Sequence, residues 1–433
     1  MHIEDGIDRA LGQCIDAYVD RTPESRKQFE FAQRHLPAGN TRSVLFYEPY
    51  PLAMNRGEDA LLWDLDGHRY VDFLGEYTAG LYGHSNAVIR AALHRTIDAG
   101  LSLTGHNELE GRLAALICSR IASLERIRFT NSGTEANLLA VAVAKAFTRR
   151  SMVMVFEGGY HGGVLTFAQG PATINVPHDF LLARYNDIDS VDRLFERHGT
   201  EIAVVLVEPM QGAAGCIPGD PAYLEHLRQR SSEHGALLAF DEVMTSRLAP
   251  GARQDQISVR PDLTTLGKYI GGGMSCGAFG GRSDIMDLFD PRRKDALPHA
   301  GTFNNNVMSM AAGIAGLEQV FTPDACIDLN AKGDALRDRL NGICAQRRLP
   351  FQFSGLGSTM NFHPTGNAIR STADLRSCDT RFRDLFFFSM LEQGIYVARR
   401  GFVVLSLPTT LADIDRFAEA FDNFADKCGP LLG

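Results

Sequence analysis

The sequence contains no run of about 18 consecutive apolar residues, the length that marks a membrane-spanning helix, so the chain is expected to cross no bilayer. An excess of basic residues is missing too. Lysine and arginine total 43 against 52 aspartates and glutamates, a formal net charge of −9. Nucleic acid and anionic membrane surfaces both demand clustered positive charge, so the expected partner is a small molecule. The eight cysteines are scattered, with no C-x-x-C pair and no metal-ligand spacing to histidine. That pattern argues against a disulfide framework or a zinc site, and for reduced thiols in a cytoplasmic protein. Met1 to Asp20 carries Glu4, Asp5, Asp8 and Asp16 and no apolar core flanked by basic residues, so no secretory signal is read there. Internal repeats and low-complexity stretches are also lacking.

What is present is 433 residues, 45% of them hydrophobic, more than a single core usually supports. Residues Pro23 to Leu36 read as helix, and Gly57 to Phe73 as short strands about an Asp66-Gly67 hairpin turn. From about Asn86 the pattern becomes helices alternating with short, wholly apolar runs: Ile127–Phe129, Met152–Phe156, Ala203–Val207, Ala236–Phe240 and Leu263–Leu266. Continuous apolar strands between helices indicate a buried, mostly parallel, doubly wound α/β sheet. The remainder mixes helices with short strands and ends in a helix opened by Thr410 and Asp413, a capping-box spacing. The expected organisation is an N-terminal segment (1–85) and a C-terminal part (323–433) that together form a smaller α+β domain, around a large domain (86–322). The small-domain strands are expected to share one sheet.

Ligands of an open parallel sheet bind beyond the carboxyl ends of its strands, and here those ends are rich in reactive groups. The first apolar run leads into Asn131-Ser132-Gly133-Thr134 and a helix; the second into Tyr160-His161; the third ends at Glu208, the fourth at Asp241, the fifth at Lys268. Ser132, Gly133 and Thr134 at a helix N-terminus suit a phosphate, and equally an ordinary cap. Asp241 at the end of an apolar strand calls for a cation, such as a protonated ring nitrogen; capping the next helix or pairing with Arg247 would serve as well. Tyr160 offers a ring face for stacking or for plain packing. Lys268, before Gly271-Gly272-Gly273, is placed to be a desolvated amine nucleophilic toward an aldehyde, with a solvated surface lysine as the alternative. Phosphate cradle, stacking aromatic, acid for a ring nitrogen and Schiff-base lysine are together the binding demands of pyridoxal 5′-phosphate.

Four segments closely resemble the class III aminotransferases of pyridoxal-phosphate fold type I: V-E-P-M-Q-G (Val207–Gly212), F-D-E-V-M-T (Phe240–Thr245), T-T-L-G-K-Y-I-G-G-G (Thr264–Gly273) and G-T-F-N-N-N (Gly301–Asn306). The resemblance implies Lys268 as the catalytic, cofactor-bearing lysine, Asp241 on the pyridine nitrogen, and Val243 and Tyr160 on the two ring faces. It implies Ser132, Gly133 and Thr134 on the phosphate, and Glu208 in the same cofactor-binding set. Thr302 would reach the phosphate of a neighbouring subunit, which implies a homodimer with shared active sites.

Within the family, N-T-R-S-V-L-F-Y (Asn40–Tyr47) and R-R-G-F-V-V-L-S-L-P (Arg399–Pro408) resemble β-amino-acid aminotransferases of the β-phenylalanine type. A substrate carboxylate needs a bidentate arginine. Arg42 and Arg400 are the candidates, with Arg399 as the confounder and surface salt bridges as the alternative. The resemblance implies Arg42 for a β-amino acid and Arg400 for glutamate or 2-oxoglutarate. Val44, Phe46, Tyr47 and Tyr77 would form a wall for a phenyl group or pack in the small domain. The expected activity is transfer of the amino group of a 3-amino-3-arylpropanoate to 2-oxoglutarate or pyruvate. The alternatives are an isomerase like glutamate-1-semialdehyde 2,1-aminomutase, or an ω-amino-acid aminotransferase.

Overall fold

A computed structural model describes residues 3–168 and 170–432. The chain divides into two compact units, one of Met1–Asn86, Ala331–Ala368 and Leu375–Gly433, the other of Ala87–Asn330 and Ile369–Asp374. Two stretches expected in the small domain thus belong with the large one: the first turns of the long helix Pro323–Gln346, and the short segment Ile369–Asp374. That segment is held by Arg370, whose carbonyl accepts from Asn186 Nδ2 (2.8 Å) and whose guanidinium pairs with Asp220.

The larger unit is built on a seven-stranded sheet. Its strands are β1 (Arg126–Thr130), β2 (Met152–Phe156), β3 (Asp179–Ala183), β4 (Ile202–Val207), β5 (Leu237–Asp241), β6 (Leu263–Gly267) and β7 (Gly277–Gly281). The order across the sheet is β1-β7-β6-β5-β4-β2-β3. Only β7 runs antiparallel to its neighbours. All six residues of β4 are buried, as continuous apolar strands covered on both faces should be. The sequence pattern did not reveal β7, because three of its five residues are glycine, which weakens a strand. Close backbone approach explains them: a Cβ on Gly280 would strike the Arg126 carbonyl, and one on Gly277 the Ser132 carbonyl.

The helix after β1, α1 (Gly133–Thr148), packs across β4, β5, β6 and β7. Its inward face is Ala136, Ala140, Val141, Val143 and Ala144, all buried. Small side chains let the helix lie close on the sheet and bring its N-terminus over the ends of β5 and β6.

In the smaller unit, Met54–Glu58, Leu61–Asp64 and Arg69–Asp72 form an antiparallel meander to which Ile395–Tyr396 adds in parallel. The Asp66-Gly67 turn lies where expected, with Gly67 at φ 87. Asp66 also accepts from Glu24 N (2.7 Å), Ser25 N (3.0 Å) and Ser25 Oγ (2.8 Å), tying the helix Pro23–Ala32 to the meander. The single shared sheet is corrected: Gln352–Leu356, Thr359–His363 and Phe402–Val404 form a separate three-stranded sheet. Phenylalanines fill the space against it, with the rings of Phe362 and Phe386 4.7 Å apart and those of Phe353 and Phe421 5.0 Å apart. An N-terminal helix, Ile3–Arg21, was not read from the sequence. No helix among the described residues is long and apolar enough to cross a membrane.

The last helix, Leu411–Cys428, starts in the capping box foreseen, with Thr410 Oγ1 accepting from Asp413 N (3.1 Å) and the Asp413 carboxylate accepting from Thr410 N (2.9 Å). Thr410→Ala is expected to cost about 1 kcal/mol, seen as a lower urea midpoint, whereas Thr410→Ser keeps the midpoint of the wild type.

Candidate functional site

Asp241, the last residue of β5, is 4% exposed. Its Oδ2 accepts from Asn137 Nδ2 (2.8 Å) and faces His161 Nδ1 (2.8 Å), and its Oδ1 accepts from Val243 N (3.0 Å). Two acceptors cannot face each other at that separation, so His161 carries a proton on Nδ1. Asn137 is itself fully used, donating to the His161 carbonyl (3.0 Å) and accepting from Thr265 Oγ1 (2.7 Å). Thr265 stands opposite Asp241 in the β5–β6 register. A carboxylate has about four acceptor positions, and a position on Oδ1 is contested only by Thr265 Oγ1 at 3.5 Å. Arg247, the alternative partner for Asp241, is itself buried, and its backbone carbonyl accepts from Asn330 Nδ2 (2.9 Å). A buried carboxylate at the end of a strand suits a cationic ring nitrogen.

The ends of β5 and β6 meet the start of α1 at van der Waals contact. A Cβ on Gly133 would lie 2.8 Å from both methyls of Val243, and one on Gly267 would lie 3.3 Å from Gly133 Cα and 3.2 Å from Val243 Cγ1. Ser132 is the N-cap of α1, its Oγ accepting from Glu135 N (3.2 Å). The cap reading of Ser132 is therefore correct. The N–H groups of Gly133 and Thr134 have no acceptor within the helix and point, with the positive end of its dipole, out of the terminus. Lys268 follows Gly267 directly and adopts φ 55, the left-handed region. Backbone strain of this kind costs roughly 1–3 kcal/mol and is retained mainly at functional positions.

Tyr160 is 47% exposed, with its backbone N–H donating to Glu208 Oε1 (3.0 Å). Glu208 Oε2 accepts from Gly212 N (3.1 Å). Burial pushes the Glu208 carboxyl up to about 7, against the opposing pull of His161. Thr302 is exposed in a loop anchored through Asn304, whose Oδ1 accepts from Asn131 Nδ2 (3.2 Å).

The smaller unit gathers the four candidate substrate residues by itself. Arg400 lies over the Tyr77 ring at 4.6 Å and the Phe402 ring at 5.8 Å, and its buried Nε has no hydrogen-bond partner. Tyr77 Oη donates to the Val44 carbonyl (3.1 Å), and Arg42 pairs with Glu76. Arg399, the confounder, is committed elsewhere, with Nε and Nη2 on the two oxygens of Asp384 at 2.6 and 2.8 Å. Val44 is 46% exposed, whereas Tyr47 is 3% exposed, its ring 4.6 Å from that of Phe387 and its hydroxyl accepting from Leu52 N. Tyr47 is thus a packing residue.

Three groups escaped the sequence reading: Asn137, His161 and Glu76. A signal existed for Asn137, the one amide in an otherwise alanine, leucine and valine stretch of α1, since a buried amide must be hydrogen-bonded. His161 stood beside Tyr160 at a strand end without a role.

A model of the family described as aminotransferase class-III matches residues 46–427. A beta-phenylalanine transaminase of Variovorax paradoxus is 57% identical over 98% of each chain, and a crystal structure of a beta-phenylalanine aminotransferase from that organism matches with a TM-score of 0.97. An omega-transaminase from Sphaerobacter thermophilus matches with 32% identity and a TM-score of 0.89, covering 94% of this chain and 98% of that one. A glutamate-1-semialdehyde 2,1-aminomutase of Limosilactobacillus reuteri is 35% identical, covering 93% of this chain and 97% of that protein.

Glu208 predicts a pH dependence of stability in the cofactor-free protein. Its folded pKa of about 7 lies above the unfolded value of about 4.3, so between these values the folded state holds a proton that the unfolded state has released. The stability contributed by that proton is complete below about pH 4.3 and is lost as pH rises through about 7. Glu208→Gln should remove this fall, so the difference in Tm between variant and wild type should drift in the variant's favour from pH 5 to 7.5. A difference that stays constant over that range would refute the assignment.

Proposed function

The chain belongs to the class III aminotransferases, and on that footing we propose that it transfers the amino group of a β-amino acid, with aromatic 3-amino-3-arylpropanoates as donors and 2-oxoglutarate as acceptor. It is a pyridoxal-phosphate-dependent enzyme of fold type I. When bound, pyridoxal phosphate supplies an aldehyde for the amino group and a pyridinium ring that withdraws electrons from the donor carbon.

The residues of the larger unit divide the work of holding that group. Ser132, Gly133 and Thr134 are assigned to the phosphate, Val243 and Tyr160 to the two ring faces, and Glu208 to holding the Tyr160 backbone in place. Asp241 is assigned to a ring nitrogen, which its buried carboxylate, held by Asn137, His161 and the Val243 backbone, would keep protonated. Lys268 would carry the cofactor, and its Nζ would serve as the base for the proton on the amino-bearing carbon. Thr302 is assigned to the partner subunit's phosphate in a cytoplasmic homodimer.

The observation that most favours two carboxylate-bearing substrates is the arrangement of cations about Tyr77. Arg400 rests on the ring with no carboxylate partner among the described residues, and Arg42 pairs with Glu76, the residue before Tyr77. Arg42 is assigned to the donor and Arg400 to the acceptor. The 57% identical relative, a beta-phenylalanine transaminase, supports the aromatic donor.

Mixing the holoenzyme with 3-amino-3-phenylpropanoate, without acceptor, should bleach the visible cofactor band, and 2-oxoglutarate should restore it. No bleaching would sink the aromatic β-amino donor, and an isomerised product formed without acceptor would indicate the aminomutase reaction. Lys268→Ala should retain pyridoxal phosphate without the visible band of the wild type; a band of unchanged position and intensity would remove Lys268 from its role.

A further inference from the structure

Three arginines of the smaller unit stand in three electrostatic states. Arg399 is locked on Asp384 through two hydrogen bonds. Arg400 is stacked on aromatic rings and has no carboxylate partner among the described residues. Arg42 already holds a carboxylate, that of Glu76, in a pair whose side chains are 44% and 51% exposed. So open a pair adds little to stability, and it can exchange with a dissolved carboxylate.

The backbone nevertheless goes out of its way to make this pair. Gly75, Glu76, Tyr77 and Thr78 lie in succession at φ 48, 49, 51 and 83. Three of them carry side chains in the left-handed region, a strain that L-residues ordinarily avoid. The turn is rooted on Asp72, whose Oδ1 accepts from Leu74 N and Gly75 N at 2.9 Å each. It cannot start from a larger residue, because a Cβ on Gly75 would lie 2.7 Å from Val404 Cγ1. What the strained turn presents is a ring beneath Arg400 and, on the preceding residue, a carboxylate for Arg42.

We propose that Glu76 is a specificity-determining residue: it fills Arg42 as a built-in carboxylate that the amino donor's own carboxylate must displace. Glu76 acts through Arg42 and is a positioning residue; the inference rests on the assignment of Arg42 to the donor. Competition of this kind weakens every carboxylate on Arg42 by one factor and leaves Arg400 untouched. The two cations are thereby made unequal, and an acceptor that bears carboxylates is directed to Arg400 instead of stalling on the donor's arginine.

The test uses the holoenzyme and 3-phenylpropanoate, which has the carboxylate and phenyl group of the donor but no amine to react. Titration calorimetry should find it bound about two- to fivefold more tightly by Glu76→Gln than by the wild type, the range expected for loss of an exposed ion pair. In the half-reaction with 3-amino-3-phenylpropanoate, the half-saturating concentration should fall by the same factor while the limiting rate moves less. The half-saturating concentration of 2-oxoglutarate should shift by less than about twofold. Glu76→Gly removes both carboxylate and strain, so it should show the same tightening with a higher Tm, which guards against a folding defect. If both variants bind 3-phenylpropanoate no better than the wild type while Arg42→Ala weakens it, the proposal is overturned and the donor assignment stands. If Arg42→Ala has no effect on binding, both are overturned.

Discussion

The larger unit is organised around one uncompensated need: a carboxylate, that of Asp241, placed at the buried end of a central strand. Leaving an ionised group there without partners would cost several kcal/mol. The surrounding sequence is consistent with meeting that cost. Asn137 on α1, His161 after β2, Thr265 on β6 and the Val243 backbone all turn toward Asp241. These partners are neutral donors and one imidazole, which hold the carboxylate by hydrogen bonds. Each partner comes from a different segment, and the network therefore also fixes how helix and strand ends meet.

The smaller unit solves the reverse problem at Arg400, holding a cation ready without neutralising it. Arg400 does so with rings, whose faces attract a guanidinium without supplying a countercharge. Arg399 is withdrawn from competition by Asp384. The contrast between adjacent arginines is set by the strand that follows them: Phe402 lies beneath Arg400, and the helix Arg381–Glu392 offers Asp384 to Arg399.

Much of this was legible in the order of residues, and the exceptions have physical causes. Of the strands announced by unbroken apolar runs, Met152–Phe156 was found with the same limits and the others within one residue at either end. The strand Gly277–Gly281 was hidden because its glycines answer to neighbouring backbones, which no local pattern records. Strand-end residues Asp241, Glu208 and Lys268 could be singled out because a polar group after an apolar strand is costly. Their partners could not, since Asn137 and His161 gain meaning only through contacts with Asp241, 104 and 80 residues away in sequence. Arg400 could not be separated from Arg399 by type or position, and their different partners are a matter of side-chain direction alone. The left-handed turn at Gly75–Thr78 was invisible for a similar reason, as only its first residue is glycine.

The contact among Gly133, Gly267 and Val243 bears on how such a protein can change over generations. Where backbone meets backbone with no room for a methyl group, there is almost nothing for mutation to remodel, and the chemistry those residues serve is inherited nearly unaltered. The solvent-facing side chains of Arg42, Val44 and Glu76 are under no such constraint, because substitutions at exposed positions commonly alter stability by less than about 0.5 kcal/mol. Substitution is thus expected to change which molecules are recognised more readily than the reaction performed on them.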